Sequence, residues 1–174
     1  RRAMEEGRTT SHEIVQQHLL RIAVYEDRLN AVMAVNPGAL RGAEALDRER
    51  AQGKVRGPLH GIPIALKDNI HTTDMPTTGG VLAFDGLIPP YEATLVKNLR
   101  ESGAIIIAKT VMTELANWMA AAPTPMPANY SALKEYGMNP YDPRRDPRDA
   151  NFDGRPVLPT GGSSSGIGTA ANLW

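Results

Sequence analysis

Two short apolar runs, Ile62-Pro63-Ile64-Ala65-Leu66 and Ala104-Ile105-Ile106-Ile107-Ala108, constrain this chain most, because each reads as a buried strand. Between them, residues 91–102 carry apolar positions at helical spacing, so the three segments form a β-loop-α-β unit. Upstream the alternation continues. Thr10-Ser11-His12-Glu13 has the form of a capping box, and Ile14, Val15, Leu19 and Ile22 follow at helical spacing to about Arg28. Ala31-Val32-Met33-Ala34-Val35 is a strand candidate. Asn36-Pro37 then caps and opens a second helix, through Ala39, Leu40, Ala43 and Leu46 to about Gly53. Thr113 to Met119 is expected to start another helix with its own cap. Alternation of this kind argues for an α/β sheet covered by helices.

Two further stretches carry chemistry. In Gly161-Gly162-Ser163-Ser164-Ser165-Gly166-Ile167-Gly168, three hydroxyls lie between glycines, a poor composition for a core. Such a loop feeding a helix can gather backbone N–H groups against an anion or oxyanion, and composition alone fits a flexible linker equally well. The other stretch is the end of the first apolar run, where Lys67 stands at the mouth of the strand, followed by Asp68-Asn69. By itself it is either a snorkelling surface lysine or a base held ready by its surroundings.

Taken together, Gly57-Pro58-Leu59-His60-Gly61-Ile62-Pro63-Ile64-Ala65-Leu66-Lys67-Asp68-Asn69-Ile70 and Gly161-Gly162-Ser163-Ser164-Ser165-Gly166 resemble the amidase signature family of serine hydrolases, in the same order. The likeness runs from about Arg2 to the last residue and includes residues 93–110 as the helix and strand after the lysine. It implies an α/β fold with a mixed sheet covered by helices on both faces, of which residues 1–174 are the N-terminal portion of one domain. It also implies a Ser–Ser–Lys triad acting through an acyl-enzyme. Lys67 matches the general base, and Ser163 the bridging serine, whose bond to the preceding glycine is cis in the family. Gly161, Gly162, Ser164, Ser165 and Gly166 match the supporting loop. The nucleophilic serine and the oxyanion hole belong to a Gly/Ser motif downstream of Trp174, so this chain is expected to need its own C-terminal half and to be inactive alone.

The chemistry is self-consistent. A lysine with its ordinary pKa of about 10.4 is protonated at neutral pH, and a base must be neutral. Depressing it by roughly three pH units costs about 4 kcal/mol, which calls for burial or a neighbouring cation. The non-proline cis bond costs roughly 2.5–4 kcal/mol, and Gly162 removes one side-chain clash there.

With 19 basic and 19 acidic side chains in 174 residues, the chain has no bias toward nucleic acid or an anionic membrane, and a neutral balance favours a small uncharged amide substrate. The absence of cysteine excludes a disulfide framework and thiol chemistry. No apolar run is long enough to span a bilayer, and a cytoplasmic location is expected. The resemblance calls for no cofactor and no metal, and a homodimer is compatible with it. His12 and His18 lie six apart on one helix and make no ligand pair. Asp149 to Gly154 imitates an EF-hand start, but its twelfth position is Thr160. Asn129-Tyr130-Ser131 is a glycosylation sequon only in a secreted eukaryotic protein. Residues 120–160, crowded with prolines, are expected to be mostly loop.

Three other readings compete. Gly162-Ser163-Ser164-Ser165-Gly166 satisfies the nucleophile-elbow pattern with Ser164 as nucleophile, but all four histidines precede it, whereas that fold needs one after. A Gly-rich phosphate module lacks the following Lys-Ser/Thr. Within the family, a component of a glutamine-dependent amidotransferase would work with partner subunits and tRNA.

Overall fold

The computed structural model describes residues 1–118, 130–141 and 165–174. After a single turn, α1 (Arg2–Glu5), the capping box forms as expected. Thr10 Oγ1 accepts from the Glu13 N–H at 3.1 Å and the Glu13 carboxylate accepts from the Thr10 N–H at 2.9 Å, opening α2 (Ser11–Leu29). The seven-residue recurrence of Val15, Ile22 and Leu29 gives α2 one buried stripe. Asn30, at φ 49°, ends it and turns the chain into β1 (Val32–Val35). Asn36 Oδ1 accepts from the Gly38 N–H at 2.7 Å, and this side-chain turn delays α3 to Ala39–Ala51, slightly later than the sequence suggests. The Asp47 carboxylate then reaches back from α3 to accept the Ser11 and His12 N–H groups at 2.8 and 2.9 Å. Two N–H groups of the first turn of α2 are thereby satisfied from the neighbouring helix.

The sheet consists of β2 (Pro63–Lys67), β3 (Ile105–Thr110) and β1, in the order β1-β3-β2. β2 and β3 are parallel, joined through α4 (Thr94–Glu101), and β1 is antiparallel to β3, so the sheet is mixed. Every residue of β3 is buried, because it is central and covered on both faces. On one face α4 presents Val96 and Leu99 to Leu66 and Ile106. On the other, α2, α3 and α5 (Ser165–Ala170) enclose the larger core of Val15, Ile22, Leu46, Ile105, Ile107, Ile167 and Leu173.

The β2–β3 register slips once. Ile64 stands opposite Ile106, but Ala65 opposite Ala108, so β3 has one extra residue and Ile107 and Ala108 both belong to the larger core. Beyond this point Leu66 stands beside Lys109, and Lys67 beside Thr110.

Helix α5 is fastened just past its C-terminal end and along its middle. The Arg21 guanidinium donates to the Ala171 and Asn172 carbonyls at 2.7 Å, while the Trp174 ring lies so close over Gly168 that a Cβ there would sit 1.8 Å from it. Within the proline-rich segment, β4 (Tyr130–Ser131) and β5 (Glu135–Tyr136) form a small antiparallel hairpin. The EF-hand-like Asp149 to Gly154 and most of the other prolines lie outside the described residues.

Candidate active site

Lys67 ends β2, half-buried, on the sheet face that carries α5. Among the described residues it makes no ion pair. Its neighbour across the sheet is Thr110, fully buried, whose hydroxyl donates to Ser165 Oγ at 3.1 Å. Ser165 is the last of the three consecutive serines and the first residue of α5. One threonine therefore touches the end of the Gly/Ser stretch while standing abreast of the lysine. Gly166 follows in the first turn of α5; Gly161, Gly162, Ser163 and Ser164 lie outside the described residues.

The sequence reading missed the residues on the opposite face. Lys109 is fully buried, and its ammonium donates to Thr77 Oγ1 at 2.8 Å, to the Pro76 carbonyl at 3.1 Å and to Asp68 Oδ1 at 3.3 Å. Burial holds Lys109 below the ordinary lysine value, an effect partly offset by the Asp68 carboxylate. The other Asp68 oxygen accepts from the Thr78 N–H at 3.0 Å and from the Thr78 hydroxyl. Lys109 stands after an apolar run just as Lys67 does, so sequence spacing alone does not separate the two.

Three loops meet at this end of the sheet. Asp68 and Gly79 are joined through their backbones at 3.1 Å, Gly79 accepts from the Leu115 N–H at 2.9 Å, and the Ser131 hydroxyl donates to the Gly80 carbonyl at 2.9 Å. Gly80 has φ +75°, and a Cβ there would lie 2.7 Å from the Met112 carbonyl. The helix expected from Thr113 does not form. Residues Glu114–Asn117 make one 3-10 turn in which Leu115 and Ala116 both have positive φ. The Leu115 N–H is engaged by Gly79, the Glu114 carboxylate accepts from the Ala132 N–H at 2.9 Å, and the Thr113 hydroxyl makes no cap. Consecutive left-handed residues cost on the order of 1–3 kcal/mol each and cluster at functional sites. Trp118 projects from this turn, 82% exposed; Met119 lies outside the described residues.

A lysine at a strand end thus stands beside a buried threonine whose hydroxyl reaches the serine that opens α5. The sequence model of the amidase family matches residues 13–171. The chain belongs to the amidase family. A glutamyl-tRNA(Gln) amidotransferase subunit from Rhodopirellula baltica is 35% identical over 167 residues, 95% of this amidase chain and 32% of that protein. A Schizosaccharomyces pombe protein named as an amidase is 38% identical over 173 residues, 98% of this chain and 27% of that one. Among solved structures, the peptide amidase from Stenotrophomonas maltophilia superposes with a TM-score of 0.82 at 39% identity, covering 98% of this chain and 33% of that one. The amidase chain thus spans between about a quarter and a third of the length of these relatives. Among the described residues no group of histidine, cysteine or carboxylate side chains could hold a metal ion, and no helix is long and apolar enough to cross a membrane.

Proposed function

We propose that residues 1–174 are the N-terminal portion of an amidase domain that hydrolyses a linear or aryl carboxamide through an acyl-enzyme. Lys67 is the general base and Ser163 the bridging serine of this reading, and the attacking serine comes from sequence beyond Trp174. The proton leaves the nucleophile through Ser163 to Lys67 and returns to the departing amine, after which water cleaves the ester. The observation that carries the reading is Thr110, abreast of Lys67 and hydrogen-bonded to Ser165, which joins the two signature stretches at one end of the sheet. Lys67 is half-buried, and the further desolvation a neutral lysine requires is supplied in this reading by the segment that brings the nucleophile.

The test is labelling of the full-length protein by a fluorophosphonate. Lys67→Ala is expected to abolish labelling and amide turnover, and Ser163→Ala to lower turnover by several orders of magnitude. Near-wild-type turnover by either variant removes the assignment. Residues 1–174 alone are expected to hydrolyse nothing.

The similarity to amidotransferase components supports a second reading, in which the ammonia released from glutamine is passed to a tRNA-bound acid by partner subunits. Glutaminase activity that rises only when partner subunits and charged tRNA are added would favour it; hydrolysis of simple carboxamides by the isolated protein favours the first.

A further inference from the structure

The Lys109–Asp68 pair is not used by that mechanism, and stability alone does not explain it. A buried ion pair gains little over apolar side chains of the same volume, whereas removing one partner leaves an uncompensated charge. All three Lys109 donors and both Asp68 oxygens are occupied, and the partners are Pro76, Thr77 and Thr78, the loop that leaves the end of β2. Asp68 is bonded in sequence to Lys67, and the two stand on opposite faces of the sheet.

We propose that Lys109 and Asp68 are positioning residues for the base: the pair fixes the peptide following Lys67 and keeps the charge beside it at zero, so that Lys67 can lose its proton near neutral pH. The inference rests on the reading of Lys67 as base. Without Lys109, Asp68 loses the cation that faces it and keeps the Thr78 N–H and hydroxyl, and an uncompensated carboxylate next to Lys67 favours the protonated lysine. Among the other charged groups at this end of the sheet, two carboxylates share one guanidinium, and Glu114 accepts from the Ala132 N–H with no ion pair among the described residues. Asp74 is bound by Arg100 of α4 at 2.7 Å and by Asn36 at 3.1 Å, and Glu92 by the same Arg100 at 2.9 Å. His71 packs against the Tyr91 ring. On the Lys67 face, Thr110 and Ser165 contribute hydroxyls only.

The experiment is the pH dependence of fluorophosphonate labelling rate in the full-length protein, whose acidic limb reports deprotonation of the base. Lys109→Gln keeps a donor and removes the charge, and should move the limb upward by about one pH unit. Lys109→Arg keeps the charge, and Lys109→Gln/Asp68→Asn removes both charges; each should leave the limb at the wild-type position. A Lys109→Gln protein with lowered melting temperature but an unmoved limb overturns the inference by reducing the pair to a structural role. If Lys109→Gln does not fold, the other two variants decide, and a displaced limb in either overturns it. Undiminished labelling of Lys67→Ala would overturn the base and this inference together, whereas lost labelling there with an unmoved limb in Lys109→Gln overturns this inference alone.

Discussion

Thr110 does at residue scale what the two signature stretches do in sequence: it connects them. Its hydroxyl is buried and directed at Ser165, so Thr110→Val removes that hydrogen bond with little change in volume. A loss of about 1–2 kcal/mol in urea unfolding is expected, with slower labelling in the full-length protein, while Thr110→Ser keeps most of both. Equal behaviour of the valine and serine variants would show that the hydroxyl has no such role. The place of Lys67 at the end of a strand was legible in the sequence because it directly follows a short apolar run. The pairing of Lys109 was not, although Ile107-Ala108-Lys109 looks much like Ala65-Leu66-Lys67. What distinguishes them is their pairing with residues about forty positions away, Asp68 in particular, which local spacing does not record.

At the scale of elements, the helices and strands that carry the fold were legible wherever a local signal was decisive. The capping box at Thr10 and Glu13 formed, and the three strands appeared within a residue or so of where apolar runs placed them. The turn at 114–117 was not legible, because Thr113-Glu114 has the form of a helix start while the Leu115 N–H is drawn to Gly79 instead. That competition makes the glycine pair a structural requirement beyond an ordinary turn. Gly80→Ala, placed at φ +75° and within 2.7 Å of the Met112 carbonyl, is expected to cost about 2 kcal/mol or more, measured by chemical denaturation. A cost within a few tenths of zero would mean that the loop relaxes freely and that the strained turn is not fixed by it.

At the scale of the molecule, one stretch of the chain exposes unusually many apolar side chains. Leu82, Phe84, Leu87, Ile88, Tyr91 and Leu95 are all exposed within fourteen residues, more than scattered surface positions would supply. A protein of these 174 residues is expected to bind an apolar fluorescent dye there, and Leu87→Glu combined with Ile88→Lys should reduce the signal without lowering the melting temperature. Unchanged dye binding in that variant would place the sticky surface elsewhere. The extra residue in β3 also matters at this scale. Because Ile107 and Ala108 share a face, the alternation of the strand is reversed from there on, which sends Lys109 toward α4 and leaves Thr110 beside Lys67. The same residues in regular alternation, without the bulge, would set Lys109 opposite Lys67 and bring two ammonium groups side by side. The bulge is therefore a coding element in its own right: one doubled position, and no side chain, decides which of two neighbouring residues faces Lys67 and which faces Asp68.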